Sequence, residues 1–330
     1  MLQKESYRIV NIWYCQQKLS ISISKPITCP HQARLSLVKE GPLCMKRSCS
    51  CETCITDRGI SHWFDQRFNS SIEPQLTKSN DKIPQDVLLW WLRLQSRRLK
   101  LSQVVSRLFE VVPKTAPPLA TTPCWCRRCA VVGNSGNLKG SNYGKLIDSQ
   151  HLVIRMNKAV TKGYEADVGS KTTHHFMYPE SAQDLQPNVH LVLVPFKPRD
   201  LLWFANAFSA ENHMSTFMRV RKHIKADQDK VVIFHPTFFK YIHDEWTEHH
   251  GRYPSTGMLA LIFGLHMCDQ LSVFGYGGDT KGNWHHYWEN NRLAGAFRLT
   301  GVHNASFESH IISHLANIGK INLYRGRRSP

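Results

Sequence analysis

No apolar stretch in this chain approaches the ~20 residues that a helix needs to cross a bilayer. The longest runs near the start, such as IVNIWYC, fall far short. No clear signal peptide precedes them. A soluble chain is the expectation, or one whose anchor is missing from this sequence. Acidic residues are scarce, with 25 Asp and Glu against 42 Lys and Arg, for a net charge of +17. That balance favours anionic partners: nucleic acid, anionic lipid, phosphate-bearing ligands or acidic glycans. A long basic arm is also lacking. The densest runs, RLQSRRLK and the terminal RGRR, are short, so a solvated basic surface fits as well as a nucleic-acid footprint. There is no internal repeat. The 330 residues and 42% hydrophobic content suit one large α/β domain with an N-terminal appendage, or two smaller domains.

What is present begins with ten cysteines. Two clusters share the spacing C-x-C-x-x-C, at 49–54 and 124–129. Paired C-x-x-C elements suit a zinc module, and a disulfide framework in an oxidising compartment suits them too. No accompanying His-x-x-x-His supports zinc. Two sequons, at Asn69 and Asn304, tilt the reading towards disulfides and make both asparagines candidate glycosylation sites.

Residues 1–48 have no sustained period and read as a poorly ordered leader or stem. Apolar residues recur at helical spacing over 83–110, which predicts an amphipathic helix with room for a break in its middle. The Pro- and Thr-rich VVPKTAPPLATTPC reads as a linker. After it, β-branched runs at 129–135, 151–157, 174–179, 190–196, 230–236, 271–277 and 321–325 alternate with longer segments. Helix candidates lie at about 200–208, 237–249, 257–267 and 304–318. Such alternation predicts an α/β domain with a mostly parallel central sheet flanked by helices. Ligands of such sheets gather at the carboxyl ends of the strands. Three of those ends run into GNSGN, Asn157 and GYGGD.

Four motifs carry chemistry. VVGNSGNLKGS places glycines and the amides of Asn134 and Asn137 after a strand. No G-K-[ST] follows, which excludes a P-loop. In YPSTG, Ser255 and Thr256 precede an apolar helix, where they act first as caps and also define an anion-binding helix terminus. GNWHHYWENN sets His285 and His286 among aromatics. Adjacent side chains in extended chain point apart, and no third ligand stands at a conventional spacing, so a shared metal ion is disfavoured. No basic residue interleaves the aromatics, as single-strand nucleic-acid binding would need. A substrate loop remains, with one imidazole donating to developing charge. Finally, TGVHNASFE holds His303 just before a predicted helix.

These residues together resemble the eukaryotic sialyltransferases, glycosyltransferase family 29. The long motif resembles CAVVGNSGNLKGS and its continuation to HH, and the short motif HGRYPSTGMLALIFGLHMCDQLSVFGYG. The third motif is similar to HYWE and the very short one to GVHNASFE. Upstream, SHWFDQRFNSSIEPQL and WWLRLQ resemble the subgroup that adds sialic acid α2,3 to galactose of Galβ1-3GalNAc. The match runs from about residue 49 to the end.

The resemblance implies a GT-A-like fold in a single catalytic domain, 49–330. It implies inverting transfer of sialic acid from CMP-sialic acid to the 3-hydroxyl of terminal galactose, on O-glycans or glycolipids. No metal and no other cofactor is implied. By the same match His303 is the general base and His286 steadies the leaving phosphate. Asn137, Asn157, Ser255, Thr256, Gly257, Gly277, Trp284 and His285 form the donor pocket. Gln95 and Tyr253 lie on the acceptor side, as does Phe217, which stands where close relatives carry tyrosine. The implied disulfides are Cys49–Cys54, Cys51–Cys126 and Cys129–Cys268, leaving Cys15, Cys29, Cys44 and Cys124 over. The implied partners are CMP-sialic acid and a galactose-terminated glycan, with no nucleic acid; a homodimer is a further option. Golgi residence as a type II membrane protein, or a secreted soluble form, follows by resemblance. The alternatives are a basic zinc- or nucleic-acid-binding module and an inactive glycan-binding relative.

Overall fold

The structure, a computed structural model, describes residues 49–94, 100–112, 125–209, 220–279, 283–290 and 301–327. All of them belong to one compact unit, 42–330. The leader, Gln95, Phe217 and the cysteines at 15, 29, 44 and 124 lie outside the described residues.

Seven strands form one sheet: β1 (Arg128–Val132), β2 (Leu152–Met156), β3 (His174–Met177), β4 (His190–Leu193), β5 (Val231–Ile233), β6 (Gln270–Phe274) and β7 (Asn322–Tyr324). Their order is β5-β4-β3-β2-β1-β6-β7, and every neighbouring pair is parallel. Each expected β-branched run supplies one strand. Successive side chains of a strand point to opposite faces, and both faces here are covered. Val131 faces the main core, while Ala130 and Val132 face a second cluster with Ile147, Val153, Val168 and Phe274. That double burial is why the strands read as continuous apolar runs.

The helices in chain order are α1 (His62–Arg67), α2 (Gln85–Leu92), α3 (Leu101–Val111), α4 (Gly144–Asp148), α5 (Glu165–Val168), α6 (Pro198–Phe208), α7 (Pro236–Tyr241), α8 (Thr256–Met267) and α9 (Ala305–Asn317). The amphipathic segment at 83–110 holds two helices, α2 and α3, on either side of residues 95–99. The expected helix at 237–249 is α7 followed by a π turn over Ile242–Trp246. Trp91 anchors α2, donating its indole N–H to the Pro195 carbonyl at 2.9 Å. Helix α8 packs on β1, β2 and β6 and is buried all round, which explains its unbroken apolar sequence.

The order of the sheet reverses at β1, since β2 and β6 lie on its two sides. Open α/β sheets bind ligands at such a switch point, beyond the carboxyl ends of the strands. The chain is tight there. A side chain on Gly133, after β1, would collide with the carbonyl of Gly275, after β6. Gly275 itself has a φ of +67°, a conformation that glycine adopts without strain.

Three disulfides brace the unit: Cys49–Cys54, Cys51–Cys126 and Cys129–Cys268. The last joins the start of β1 to the end of α8. Those six sulfurs are thereby removed as thiolate ligands. No group of three or more His, Cys, Asp or Glu able to hold a metal occurs among the described residues. No helix among them is long and apolar enough to cross a membrane.

Candidate active site

A cavity of about 510 Å³ opens at the switch point. Five of the anticipated residues line it: Asn157, Ser255, Trp284, His286 and His303. A second cavity of about 390 Å³ lies on the other side of the HYWE turn, lined by Asn137, His285 and again His286. The two histidines of GNWHHYWENN therefore share the smaller space, and His286 alone of the two also lines the larger.

His303 enters from the loop before α9. Its Nδ1 lies 2.8 Å from the carbonyl oxygen of Tyr253. A carbonyl only accepts, so Nδ1 carries the proton and Nε2 presents its lone pair. The Tyr253 ring packs edge-on against the imidazole at 5.1 Å, which fixes the ring's plane. Burial holds the His303 pKa below its ordinary 6.5, partly offset by the bond to Tyr253. The imidazole is accordingly neutral near pH 7 and equipped to take a proton.

The loop is held from α8. Ser255 caps that helix, accepting from the Met258 N–H at 3.1 Å. It is itself held by Glu308 in the first turn of α9: the Ser255 N–H and hydroxyl donate to the two carboxylate oxygens at 2.7 and 2.5 Å. Burial pushes the Glu308 pKa up to about 7, against the lowering effect of both Ser255 bonds. His303 and Glu308 thus act on one site from different sides.

Asn157 follows β2 with φ +59°, a left-handed conformation that asparagine tolerates better than most residues. Its backbone carbonyl accepts from His175 at 2.7 Å and Gln183 at 3.1 Å. Its Oδ1, and the Oδ1 of cavity-lining Asn134, are buried with no hydrogen-bond partner. Buried acceptors are normally satisfied, so both are suited to donors on a bound ligand.

His286 lies flat on Trp288, with ring centres 4.5 Å apart and planes 6° apart. Asn137 is buried and donates its amide to the Gly278 carbonyl at 3.0 Å. The Gly277 carbonyl accepts from the Ser135 hydroxyl at 2.7 Å. Thr256 and Gly257 form the first turn of α8, and Tyr276 donates to the Gly257 carbonyl at 2.9 Å. Thr256, Gly257, Gly277 and Tyr253 line neither cavity.

The sequons differ. Asn69 is exposed, and its Oδ1 accepts from the N–H and hydroxyl of Ser71. Asn304 is half-buried, caps α9 by accepting from the Phe307 N–H at 3.0 Å, and adjoins His303.

Sequence reasoning passes over Tyr178, Glu180 and Gln183, which line the larger cavity. They arrive just beyond β3, two strands from the glycine-rich motif, and carry no local motif. Their one signal is position, since they follow the carboxyl end of a parallel strand.

The family model for "Glycosyltransferase family 29 (sialyltransferase)" matches residues 75–320. The rat CMP-N-acetylneuraminate-beta-galactosamide-alpha-2,3-sialyltransferase 2 is 55% identical over 292 residues, 88% of this chain and 83% of its own. The human CMP-N-acetylneuraminate-beta-galactosamide-alpha-2,3-sialyltransferase 1 is 52% identical over 284 residues, 85% of this chain and 84% of its own. A crystal structure of a mammalian sialyltransferase superposes with a TM-score of 0.79 at 49% identity, covering 85% of this chain and all of that one. A second, in complex with Gal-beta-1-3GalNAc-ortho-nitrophenol, gives 0.77 at 48% identity, covering 84% of this chain and all of that one. The chain belongs to glycosyltransferase family 29, the sialyltransferases.

Proposed function

We propose that this protein transfers sialic acid from CMP-sialic acid to the 3-hydroxyl of terminal galactose in Galβ1-3GalNAc, with inversion. The observation that carries the reading is the tautomer of His303. With Nδ1 donating to Tyr253, its Nε2 keeps the lone pair, and His303 lines a cavity shared with His286. In the reaction, Nε2 takes the proton of the acceptor hydroxyl. The hydroxyl oxygen bonds to the anomeric carbon, and the bond to phosphate breaks with its electron pair leaving on CMP. General-base assistance of this kind contributes about 10²–10⁴-fold. His286, which lines the same cavity, donates to the departing phosphate. The unpartnered acceptors of Asn134 and Asn157 support a polar, hydroxyl-rich donor. The names of the relatives support the α2,3 linkage and the β-galactosamide acceptor.

We further propose that the reaction needs no metal ion, and that the protein resides in the Golgi lumen, anchored or as a secreted form. Three disulfides support an oxidising compartment. The test is incubation with CMP-sialic acid and a Galβ1-3GalNAc acceptor, followed by a linkage-specific α2,3-sialidase. Product that the sialidase cleaves supports the reading; absence of transfer, or another linkage, contradicts it.

A further inference from the structure

The HYWE turn contains a second ring-and-carboxylate pair. Oε1 of Glu289 lies 3.0 Å from Nδ1 of His286. That hydrogen bond is the main influence holding the Glu289 carboxyl below its ordinary range. An ionised carboxylate only accepts, so Nδ1 is the protonated nitrogen. The contact is built into the backbone. The His286 N–H donates to the Glu289 carbonyl at 3.1 Å, and the Glu289 N–H to the His286 carbonyl at 3.3 Å. Trp288 fixes the ring from below, and an indole face favours a cation above it.

In a neutral ring with its proton on Nδ1, Nε2 offers only a lone pair, which repels a phosphate oxygen. Nε2 donates only when the ring is an imidazolium. We propose that Glu289 is a positioning residue that, with Trp288, holds His286 as an imidazolium whose Nε2–H donates to the leaving phosphate. The proposal rests on the sialyl-transfer reading above. No proton need leave His286, because the acceptor's proton goes to His303.

Other charged groups share the space. Lys158, Glu180, His303 and Glu308 line the larger cavity, and Lys139, Asp279 and His285 the smaller. The phenols of Tyr178 and Tyr164 also face them. Lys158 stabilises the charge of Glu289. Glu289 is in direct contact with the ring, so its charge has the largest leverage.

The test compares wild type, Glu289→Gln and Glu289→Asp. Glutamine keeps an acceptor for Nδ1–H and removes the charge. On the alkaline side of a titration, the protonated fraction falls about tenfold for each pH unit. Glu289→Gln is expected to move the alkaline limb of the kcat profile to lower pH, so that the loss of kcat is greatest at the alkaline end. At the acidic end kcat stays near wild type, and Glu289→Asp restores the limb. A Gln variant with an unchanged profile, or one lowered equally at every pH, overturns the proposal. ¹⁵N-histidine NMR, with His286→Ala identifying the signal, reads the ring without turnover. A ring that is neutral at the pH of maximal turnover, or whose neutral form is protonated on Nε2, overturns the proposal; a doubly protonated ring there, with titration displaced downward in Glu289→Gln, supports it. Should wild type show no transfer, the reaction reading falls, while the NMR result still decides the Glu289–His286 pairing.

Discussion

The hydroxyl of Ser255 donates to the carboxylate of Glu308 at 2.5 Å, tying the cap of α8 to the first turn of α9. Ser255 and His303 line the same cavity, and Glu308 stands five residues beyond His303 on the helix that His303 precedes. A single buried carboxylate therefore ties Ser255 to the helix that His303 precedes. Glu308→Ala leaves the Ser255 N–H and hydroxyl without their acceptors. Expected outcomes are a loss of about 1–3 kcal/mol of stability in urea denaturation and a raised KM for the donor.

The same group gives stability a pH dependence. Burial raises the Glu308 pKa from 4.5 to about 7, and that of Asp200 from 3.8 to about 7. The folded state therefore binds more protons than the unfolded one between these values. Stability from both groups falls as pH rises through that window. Glu308→Gln removes one such falling contribution, so between about pH 4.5 and 7 the slope of stability against pH should be more positive in this variant than in wild type, as read from urea titrations.

His303 has the opposite displacement, since burial lowers its pKa below 6.5. Its neutral form persists to lower pH than a free imidazole would. The acid limb of kcat/KM should therefore fall below pH 6.5, as measured with saturating acceptor and limiting donor. An acid limb centred above pH 6.5 would contradict this role for His303.

The Cys129–Cys268 bond closes the longest loop of the three, 139 residues. Loop closure of this kind typically contributes about 2–5 kcal/mol. The double variant Cys129→Ala with Cys268→Ala should melt well below wild type, and reductant should lower the melting temperature of wild type by more than that of the variant, which keeps the other two bonds.

The sequons should behave differently. Asn69 is exposed in a turn, while Asn304 caps a helix beside His303. Glycopeptide mass analysis should find glycan at Asn69 and none at Asn304. Asn304→Ala should cost about 1 kcal/mol through the lost cap.

Much of this is legible in the chain, for physical reasons. Strands such as AVV and LVIRM are buried on both faces, so their apolar character is continuous and local. The cap at Ser255 is likewise local, because it depends on the backbone of its own helix. The bond from Glu308 to Ser255 spans 53 residues, and no spacing rule encodes a contact between the starts of two helices. Gln183 and Glu180 reach the cavity through the order of the sheet, which only the fold supplies. The π turn after α7 reads in sequence as plain helix, and its Trp246 packs against Trp63 and Phe64, which are distant in the chain. The role of Glu289 needs the orientation of one imidazole ring.

The central claim is that the Nε2 of His303 removes the acceptor proton in metal-independent transfer. Its most direct test is the rate of transfer from CMP-sialic acid to Galβ1-3GalNAc by wild type and His303→Ala, each with and without EDTA. The expected result is wild-type activity unchanged by EDTA and a fall of about 10²–10⁴-fold in the variant. Full activity in His303→Ala, or loss of wild-type activity in EDTA, would contradict it.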